Sequence, residues 1–498
     1  MSQLIQVSIP SAAKGQRLSA YLAEAGYPLR ADCGGRGVCG KCRVTVLSGS
    51  FWADTQGLAL AIPDQKGQLL ACRAFIGDSG GVILLPMSEG EGLTAHTDNT
   101  ASVDMQSCGV ALDIGTTTLA AALVDLKDGT IRRTTSRLNP QKSFGADVMS
   151  RISAVMEKES NLRVMQELLL KDIRLMILEL TEGKAVPHMT VAGNPTMLHL
   201  FCGISPAGMG AYPFMPAFTE AKTLTGQELN LPVDTVALLP SVSAFIGGDI
   251  TAGMLSQKIT DHRDPVLLVD MGTNGEMILY TGQNHGGMLY GTSTAAGPAL
   301  EGAGISTGVG GISGAVCGVK YNGVDLLTET IHHTPPVGIC GSGLIDLIAI
   351  LLQKGILDET GYLEEDPFPY ADGLSLTGGD IRAFQLAKSA LRSGMEVLCE
   401  TAGISTRDLS RIYIAGGLGY YMNINSAVAV GLLPDCPHQN MISVGNTALT
   451  GAAMVLCDPS LIEKITADAA ACNVVELNLS HSFSDKFMEY MMFPWEED

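Results

Sequence analysis

Near the start of the chain, apolar and polar positions alternate in short runs. Residues 1–9 carry Leu4, Ile5, Val7 and Ile9 on a period close to two, which predicts a strand. Arg17-Leu-Ser-Ala-Tyr-Leu-Ala-Glu-Ala-Gly26 predicts a short helix stopped by its glycine. Arg43-Val-Thr-Val-Leu47 predicts a strand ending at Ser48-Gly49. Leu69-Leu-Ala-Cys-Arg-Ala74 and Gly81-Val-Ile-Leu-Leu-Pro86 then complete a small sheet that closes near Pro86. Residues 88–107 are small, polar and aperiodic, the pattern of a linker.

The pattern then becomes richer. The run Val110-Ala-Leu-Asp-Ile-Gly-Thr-Thr-Thr-Leu-Ala-Ala-Ala-Leu-Val-Asp125 predicts a strand, a glycine–threonine turn and a second strand. The run Val266-Leu-Leu-Val-Asp-Met-Gly-Thr-Asn-Gly-Glu-Met-Ile-Leu-Tyr280 has the same grammar, so Asp113-Ile-Gly-Thr-Thr and Asp270-Met-Gly-Thr-Asn form a small internal repeat. Leu, Met and Ile at helical spacing over Leu162–Leu180 predict a helix committed to core packing. A third element comes late: Arg411-Ile-Tyr-Ile-Ala-Gly-Gly-Leu-Gly419 reads as a strand running into a glycine turn, followed by Val444-Gly-Asn-Thr-Ala-Leu-Thr-Gly-Ala-Ala453.

Length and charge narrow the class. The 498 residues suffice for three or four domains. A net charge of −20 and a pI near 4.8 argue against nucleic acid or an anionic membrane as the main partner. No run of eighteen apolar residues is free of charge, and Met1-Ser-Gln-Leu-Ile-Gln6 is no signal peptide, so a cytoplasmic location is expected. Of the twelve cysteines, eight are scattered: Cys108, Cys202, Cys317, Cys340, Cys399, Cys436, Cys457 and Cys472. None of these pairs closely with another, and buried thiols in a reducing compartment are the expected state.

The other four are grouped. Cys33, Cys39 and Cys42 lie in the glycine-rich stretch Ala31-Asp-Cys-Gly-Gly-Arg-Gly-Val-Cys-Gly-Lys-Cys-Arg43 with spacing C-x5-C-x2-C, and Cys72 returns from a distant predicted strand. Three thiolates on one tight loop and a fourth from afar are what a 2Fe–2S cluster of the plant-ferredoxin kind requires, although the usual loop there is one residue shorter. Glycines allow the backbone to wrap a cluster with amides turned toward its sulfides. A zinc site would favour two short C-x2-C pairs, and only one is present. The unit is expected to be β-grasp-like.

The two hairpins suggest phosphate chemistry. An aspartate at a strand end can hold magnesium directly or through water, while turn amides and hydroxyls receive phosphate oxygens. Candidates are Asp113 and Asp270, with Gly115, Thr116 and Thr117 on the first turn and Gly272, Thr273 and Asn274 on the second. The turn at Gly416, Gly417 and Gly419 would let a base and ribose approach the backbone, and also fits a merely tight turn. Asp249 is a further acidic candidate, or else a cap for a helix Ile250–Leu255. Cys340 is expected to be a small buried residue at a helix start and His332-His333 a solvated loop; Glu301 is expected to be a solvent-facing acid at a helix end, contact with a partner or nucleotide being its other reading.

In order, hairpin, hairpin and glycine turn resemble the actin-like ATPases (the ASKHA, ribonuclease H-like fold) that include sugar kinases, Hsp70 and actin. The ferredoxin-type cysteines ahead of them make the chain similar to the RACo-type reductive activators of corrinoid proteins. Ala192-Gly-Asn-Pro-Thr-Met-Leu-His-Leu200, Ile246-Gly-Gly-Asp-Ile-Thr-Ala-Gly253, Thr294-Ala-Ala-Gly-Pro-Ala-Leu-Glu-Gly-Ala-Gly-Ile305 and Gly338-Ile-Cys-Gly-Ser-Gly-Leu-Ile-Asp346 agree with this, although Pro195 stands where threonine is common.

The resemblance implies a multidomain α/β fold: a ferredoxin-like domain over 1–87, a linker over 88–107, a first actin-like lobe over 108–185 and a C-terminal ATPase domain over 186–498. It implies a 2Fe–2S cluster, ATP and Mg2+ as cofactors. Its implied activity is transfer of one electron, coupled to ATP hydrolysis, to the inactive Co(II) corrinoid protein of a methyltransferase system. In the usual roles Asp113 and Asp270 manage magnesium and the attacking water, the hairpin threonines and Asn274 hold phosphates, and the late glycines hold adenosine. A low-potential electron donor and a homodimer are also implied. The alternatives are an actin-like small-molecule kinase with a redox-sensing iron–sulfur domain, and an activator of a radical dehydratase. The latter resembles a dimer sharing one cluster, which four cysteines in one chain make unnecessary.

Overall fold

The computed structural model describes residues 4–25, 29, 42–53, 59–64, 66–86, 104–420 and 422–494. The N-terminal unit is built from β1 (Leu4–Ile9), α1 (Leu18–Glu24), β2 (Arg43–Trp52), β3 (Gln68–Leu70) and β4 (Phe75–Pro86). Its sheet runs β1-β4-β2-β3, all antiparallel. Leu18 and Leu22 of α1 are fully buried against Val7, Val44, Ile76 and Ile83, which is why the alternating pattern of the strands has a single apolar face. Cys33 and Cys39 lie outside the described residues, as does most of the expected linker.

The next sheet comprises β5 (Cys108–Ile114), β6 (Thr118–Asp125), β7 (Ile131–Leu138), β8 (Val186–Gly193), β9 (Lys222–Thr225) and β10 (Val233–Leu238), ordered β7-β6-β5-β8-β10-β9. Helices α2 (Val148–Glu157) and α3 (Ser160–Leu180) join β7 to β8, α4 (Pro195–Cys202) follows β8, α5 (Gly226–Leu229) follows β9, and α6 (Gly248–Ser256) follows β10. Met165, Leu169, Ile173, Met176 and Ile177 of α3 are buried on this sheet, as expected of a core helix. The division expected between residues 185 and 186 falls inside the sheet, because β8 pairs in parallel with β5 (Val110 opposite Met189, Leu112 opposite Val191). A parallel neighbour needs a long crossover, here α2 and α3, so sequence distance hid the pairing.

A second sheet repeats the plan. Strands β11 (Val266–Met271), β12 (Gly275–Tyr280) and β13 (Leu289–Thr294) are antiparallel neighbours. A three-stranded sheet of β14 (Ala315–Tyr321), β15 (Leu326–Thr330) and β16 (Gly338–Ile339) is inserted next, followed by α7 (Gly341–Gln353), the hairpin β17 (Phe368–Ala371) and β18 (Leu374–Leu376), and α8 (Gly378–Thr401). The chain then returns through β19 (Arg411–Ala415), α9 (Ile424–Ala429), β20 (Met441–Gly445), α10 (Thr447–Cys457), α11 (Leu461–Ala470), β21 (Cys472–Val474) and α12 (His481–Glu489). The sheet order β20-β19-β11-β12-β13-β21 maps β13-β12-β11-β19-β20 onto β7-β6-β5-β8-β10, with the same parallel and antiparallel relations. The hairpin repeat seen in the sequence is therefore the visible part of a repeated five-strand unit.

The helix leaving each sheet reaches across to the other, and α6 lies between the two, its Ala252 and Leu255 remaining against the first. Ile250 and Met254 of α6 are buried with Leu268 and Ile278 of the second sheet. Ala448 and Ala452 of α10 are buried with Ala111, Ala122 and Ala192 of the first. The two helices cross in near backbone contact: a Cβ at Gly451 would lie 2.2 Å from the Ala252 carbonyl oxygen. Among the described residues every cysteine is free, and no helix is long and apolar enough to cross a membrane.

Candidate active site

Both hairpin turns open into one cleft between the two sheets. In the first, Gly115 N–H donates to Thr118 O at 3.0 Å, and the turn's carbonyls are drawn backward. Asn139 Nδ2 donates to Gly115 O at 2.8 Å, Arg151 Nη2 to Thr116 O at 2.5 Å, and Asn139 N–H to Thr117 O at 2.8 Å. Asn139 and Arg151 are fully buried. Carbonyls held from behind leave the amides of a turn available on the cleft side, the arrangement of an anion-binding nest. Asn194, the cap of α4, donates to the Thr116 hydroxyl at 2.9 Å, so this threonine faces the protein rather than the cleft. Pro195 occupies the first position of α4, where a missing N–H costs nothing.

The second turn closes through Gly272 N–H to Asn274 O at 3.1 Å, and Thr273 O accepts from Gly297 N–H at 2.9 Å. Across the cleft, Thr117 Oγ1 and Thr273 Oγ1 lie 3.4 Å apart. Both hydroxyls donate to Glu301 Oε2, Thr117 at 2.9 Å. Glu301, at the end of the single-turn helix Pro298–Glu301, is thus half-buried between the lobes and not a solvent-facing acid.

The acids converge. Asp113 ends β5, Asp270 ends β11, and Asp249 stands in the first turn of α6, behind the capping position held by Gly247. Asp249 Oδ1 accepts from Ile250 N–H at 2.9 Å, yet its charge also acts on Asp113 and Asp270. Desolvation raises Asp113 to about 7 against a lowering hydrogen bond from Asn446, and raises Asp249 to about 6. Asp270 rises to about 8 through desolvation first, then repulsion from Asp249, Asp113 and Glu301. Glu276, register partner of Asp270 on β12, is buried and pushed well above the carboxylate range by desolvation first, then by repulsion from Asp249 and Asp270. Carboxylates crowded in this way suit a divalent cation. Among the described residues no three such side chains are placed to chelate an ion by themselves.

The glycine turn adjoins these acids. Gly416, at φ 94°, bonds Gly445 O through its N–H, and a Cβ there would lie 2.9 Å from Asp270 Oδ1. A Cβ on Gly417 would meet open space. Gly419 lies one turn farther along, in the single-turn helix Gly417–Tyr420. The glycines and Asp270 therefore share one wall.

In the N-terminal unit Cys42 immediately precedes β2, and Cys72 sits on a single-turn helix, Ala71–Arg73, directly after β3 rather than in a strand. Both thiols are buried, and the side-chain hydrogen bond between them is the largest cause drawing Cys42 down to about 6. Two sequestered, mutually bonded thiols, one inclined to the thiolate, fit two ligands of an iron–sulfur cluster.

Residues 6–77 match the 2Fe-2S iron-sulfur cluster binding domain, 108–262 the RACo middle region, and 264–498 the C-terminal domain of RACo, the ASKHA domain. The corrinoid activation enzyme RamQ of Eubacterium limosum is 32% identical over 424 residues, covering 77% of this chain and 69% of that protein. The chain belongs to the RACo family. The Co(II) methylated amine-specific corrinoid protein reductase of Methanosarcina barkeri is 27% identical over 410 residues, 72% of this chain and 73% of its own. A solved structure titled as a reductive activator for corrinoid,iron-sulfur protein aligns with a TM-score of 0.73 at 27% identity, over 98% of this chain and 96% of that one.

Within this RACo-family fold the cleft brings together Asp113, Asp249, Asp270, both hairpins and the glycine turn. Sequence reading did not find Asn139, Arg151, Glu276 or the role of Glu301. Cys340, capping α7 and bonded to Val316 O, is a structural residue, and His332 and His333 are exposed.

Proposed function

We propose that this chain is an ATP-dependent reductive activator that passes one electron from a 2Fe–2S cluster to the Co(II) corrinoid of a partner protein, restoring Co(I). The observation that carries the ATP half is the meeting of Thr117 and Thr273, one from each repeated sheet, at 3.4 Å. Two phosphate turns facing each other clamp a nucleotide in a way neither could alone.

Cys33, Cys39, Cys42 and Cys72 would hold the cluster, which when bound supplies a one-electron carrier of roughly −400 mV. Protein-bound Co(II)/Co(I) couples generally lie lower, so the transfer runs uphill and needs coupling. The cleft supplies it through the chain's own groups. Asp113, Asp270 and Asp249 would hold hydrated magnesium and orient the attacking water, in a reaction that is mainly positioning and charge stabilisation. The turns Gly115-Thr116-Thr117 and Gly272-Thr273-Asn274 would receive phosphate oxygens, Thr117 and Thr273 with their hydroxyls and Thr116 with its backbone amide alone, and Gly416, Gly417 and Gly419 would receive the adenosine. Nucleotide state would bias two arrangements of the lobes, and with them the hold on the corrinoid protein.

A low-potential electron donor, a homodimeric assembly and a cytoplasmic setting complete the proposal. The test is anaerobic visible spectroscopy of the reconstituted protein with a Co(II) corrinoid protein and a reductant. Co(I) absorption that appears only with ATP and intact cysteines is expected. Its absence despite an intact cluster and ATP turnover would shift the reading to a redox-sensing kinase.

A further inference from the structure

Glu301 has the chemistry of a phosphate oxygen and stands where the two hairpins meet. Its Oε2 accepts hydrogen bonds from Thr117 of one lobe and Thr273 of the other. Its second oxygen lies over the second turn, 4.0 Å from where a Cβ on Gly272 would be. Asp270 and Glu301 repel each other, and Arg151, whose charge favours the ionised form of Glu301, is itself engaged with carbonyls behind the first turn. The carboxylate is therefore retained by the two hydroxyls themselves.

We propose that Glu301 is an internal competitor of the nucleotide's terminal phosphate: its carboxylate and a γ-phosphate oxygen are alternatives for the same pair of hydroxyls, Thr117 and Thr273. This inference rests on the ATP-binding reading given above. The terminal phosphate is singled out because, with the adenosine on the Gly416 turn as proposed above, it is the far end of the nucleotide and so the group that would meet both lobes' hydroxyls together. Two anions cannot share one pair of donors in a water-poor cleft, so triphosphate binding turns Glu301 away. A cross-lobe tie within the protein is thereby exchanged for one through the nucleotide, and hydrolysis permits the exchange to reverse. Glu301 would then act as a positioning residue that makes the cleft discriminate triphosphate from diphosphate.

The experiment is calorimetric titration of the full-length protein with Mg·AMPPNP and with Mg·ADP, for wild type, Glu301→Gln and Glu301→Ala. Removing the charge is expected to tighten AMPPNP binding by about tenfold, equivalent to about 1.4 kcal/mol, while ADP affinity changes less than twofold. Equal changes for both nucleotides, or weaker AMPPNP binding, would overturn the assignment. Thr117→Val in the Glu301→Gln background closes a cycle: the gain from Glu301→Gln should vanish when Thr117 cannot donate, and a persisting full gain would also overturn it. A wild-type protein that binds neither nucleotide would instead refute the ATP reading, which separates the two failures.

Discussion

Asn446, the cap of α10 in the second half of the chain, donates its side-chain amide to Asp113 Oδ2 of the first half at 2.8 Å. This bond favours the ionised form of an aspartate that desolvation pushes the other way. Asn446→Ala should raise the Asp113 pKa further, by about one unit, and lower Mg·nucleotide affinity at pH 7 several-fold. Titrations at pH 6 to 9 would reveal the change as an upward shift in the pH at which affinity reaches its plateau. A uniform loss at all pH values would mean that Asn446 acts otherwise.

The raised cleft acids give a second pH dependence. Asp249, Asp113 and Asp270 titrate near 6, 7 and 8, above their ordinary range near 4. The folded protein therefore holds more protons than the unfolded chain between these limits. Their contribution to stability is fully present below about pH 4 and is lost as pH rises through 6 to 8. Asp270→Asn should raise the thermal midpoint at pH 8 while abolishing ATP hydrolysis, because it removes a repelled charge that the reaction uses. Magnesium-nucleotide binding at pH 7 should release protons, detected as a dependence of the calorimetric heat on buffer ionisation enthalpy.

Arg151 has no access to solvent and bonds the carbonyls of Thr116 and Gly145. Arg151→Met would keep much of the volume but strand two buried acceptors, at a cost of about 1–3 kcal/mol each. The first hairpin should then lose its amide presentation. Nucleotide affinity is expected to fall at least tenfold in a protein that still folds, as judged by circular dichroism. Unchanged affinity would show that the turn keeps its shape unaided.

Gly416 adopts a left-handed φ and faces Asp270 at a distance that excludes a methyl group. Gly416→Ala adds backbone strain of about 1–2 kcal/mol and displaces the carboxylate. ATP hydrolysis should fall at least tenfold, whereas Gly417→Ala, whose added methyl enters open space, should leave the unliganded thermal midpoint unchanged.

Cys42→Ser and Cys72→Ser should each abolish stoichiometric cluster incorporation, measured as iron content and visible absorption after anaerobic reconstitution. ATPase turnover should persist in both. Retention of a full cluster by either variant would remove that cysteine from the ligand set.

What could be read from the sequence was local. Asp113 and Asp270 sit in strand–turn–strand patterns of 16 and 15 residues, and such patterns carry their own geometry. Cys42 and Cys72 stand out because few other chemistries need that spacing. Arg151 and Glu301 were not, because each acts across distance: Arg151 bonds a carbonyl 35 residues earlier, and Glu301 a hydroxyl 184 residues earlier. An arginine on an amphipathic helix and an acid beside glycines look like surface residues until the fold brings them to a turn. The pairing of β5 with β8 was hidden for the same reason, since the crossover through α2 and α3 separates two strands that lie side by side.

The exchange of helices between the sheets makes the two halves mutually dependent. A chain severed near residue 263 would give two fragments, the first lacking α10, which covers a face of its sheet, and the second lacking α6, which lies against β11 and β12. Neither fragment should fold cooperatively in isolation. Co-expressed, they should recover each other's missing layer and rebuild the nucleotide site by complementation, the cleft existing only as their joint product.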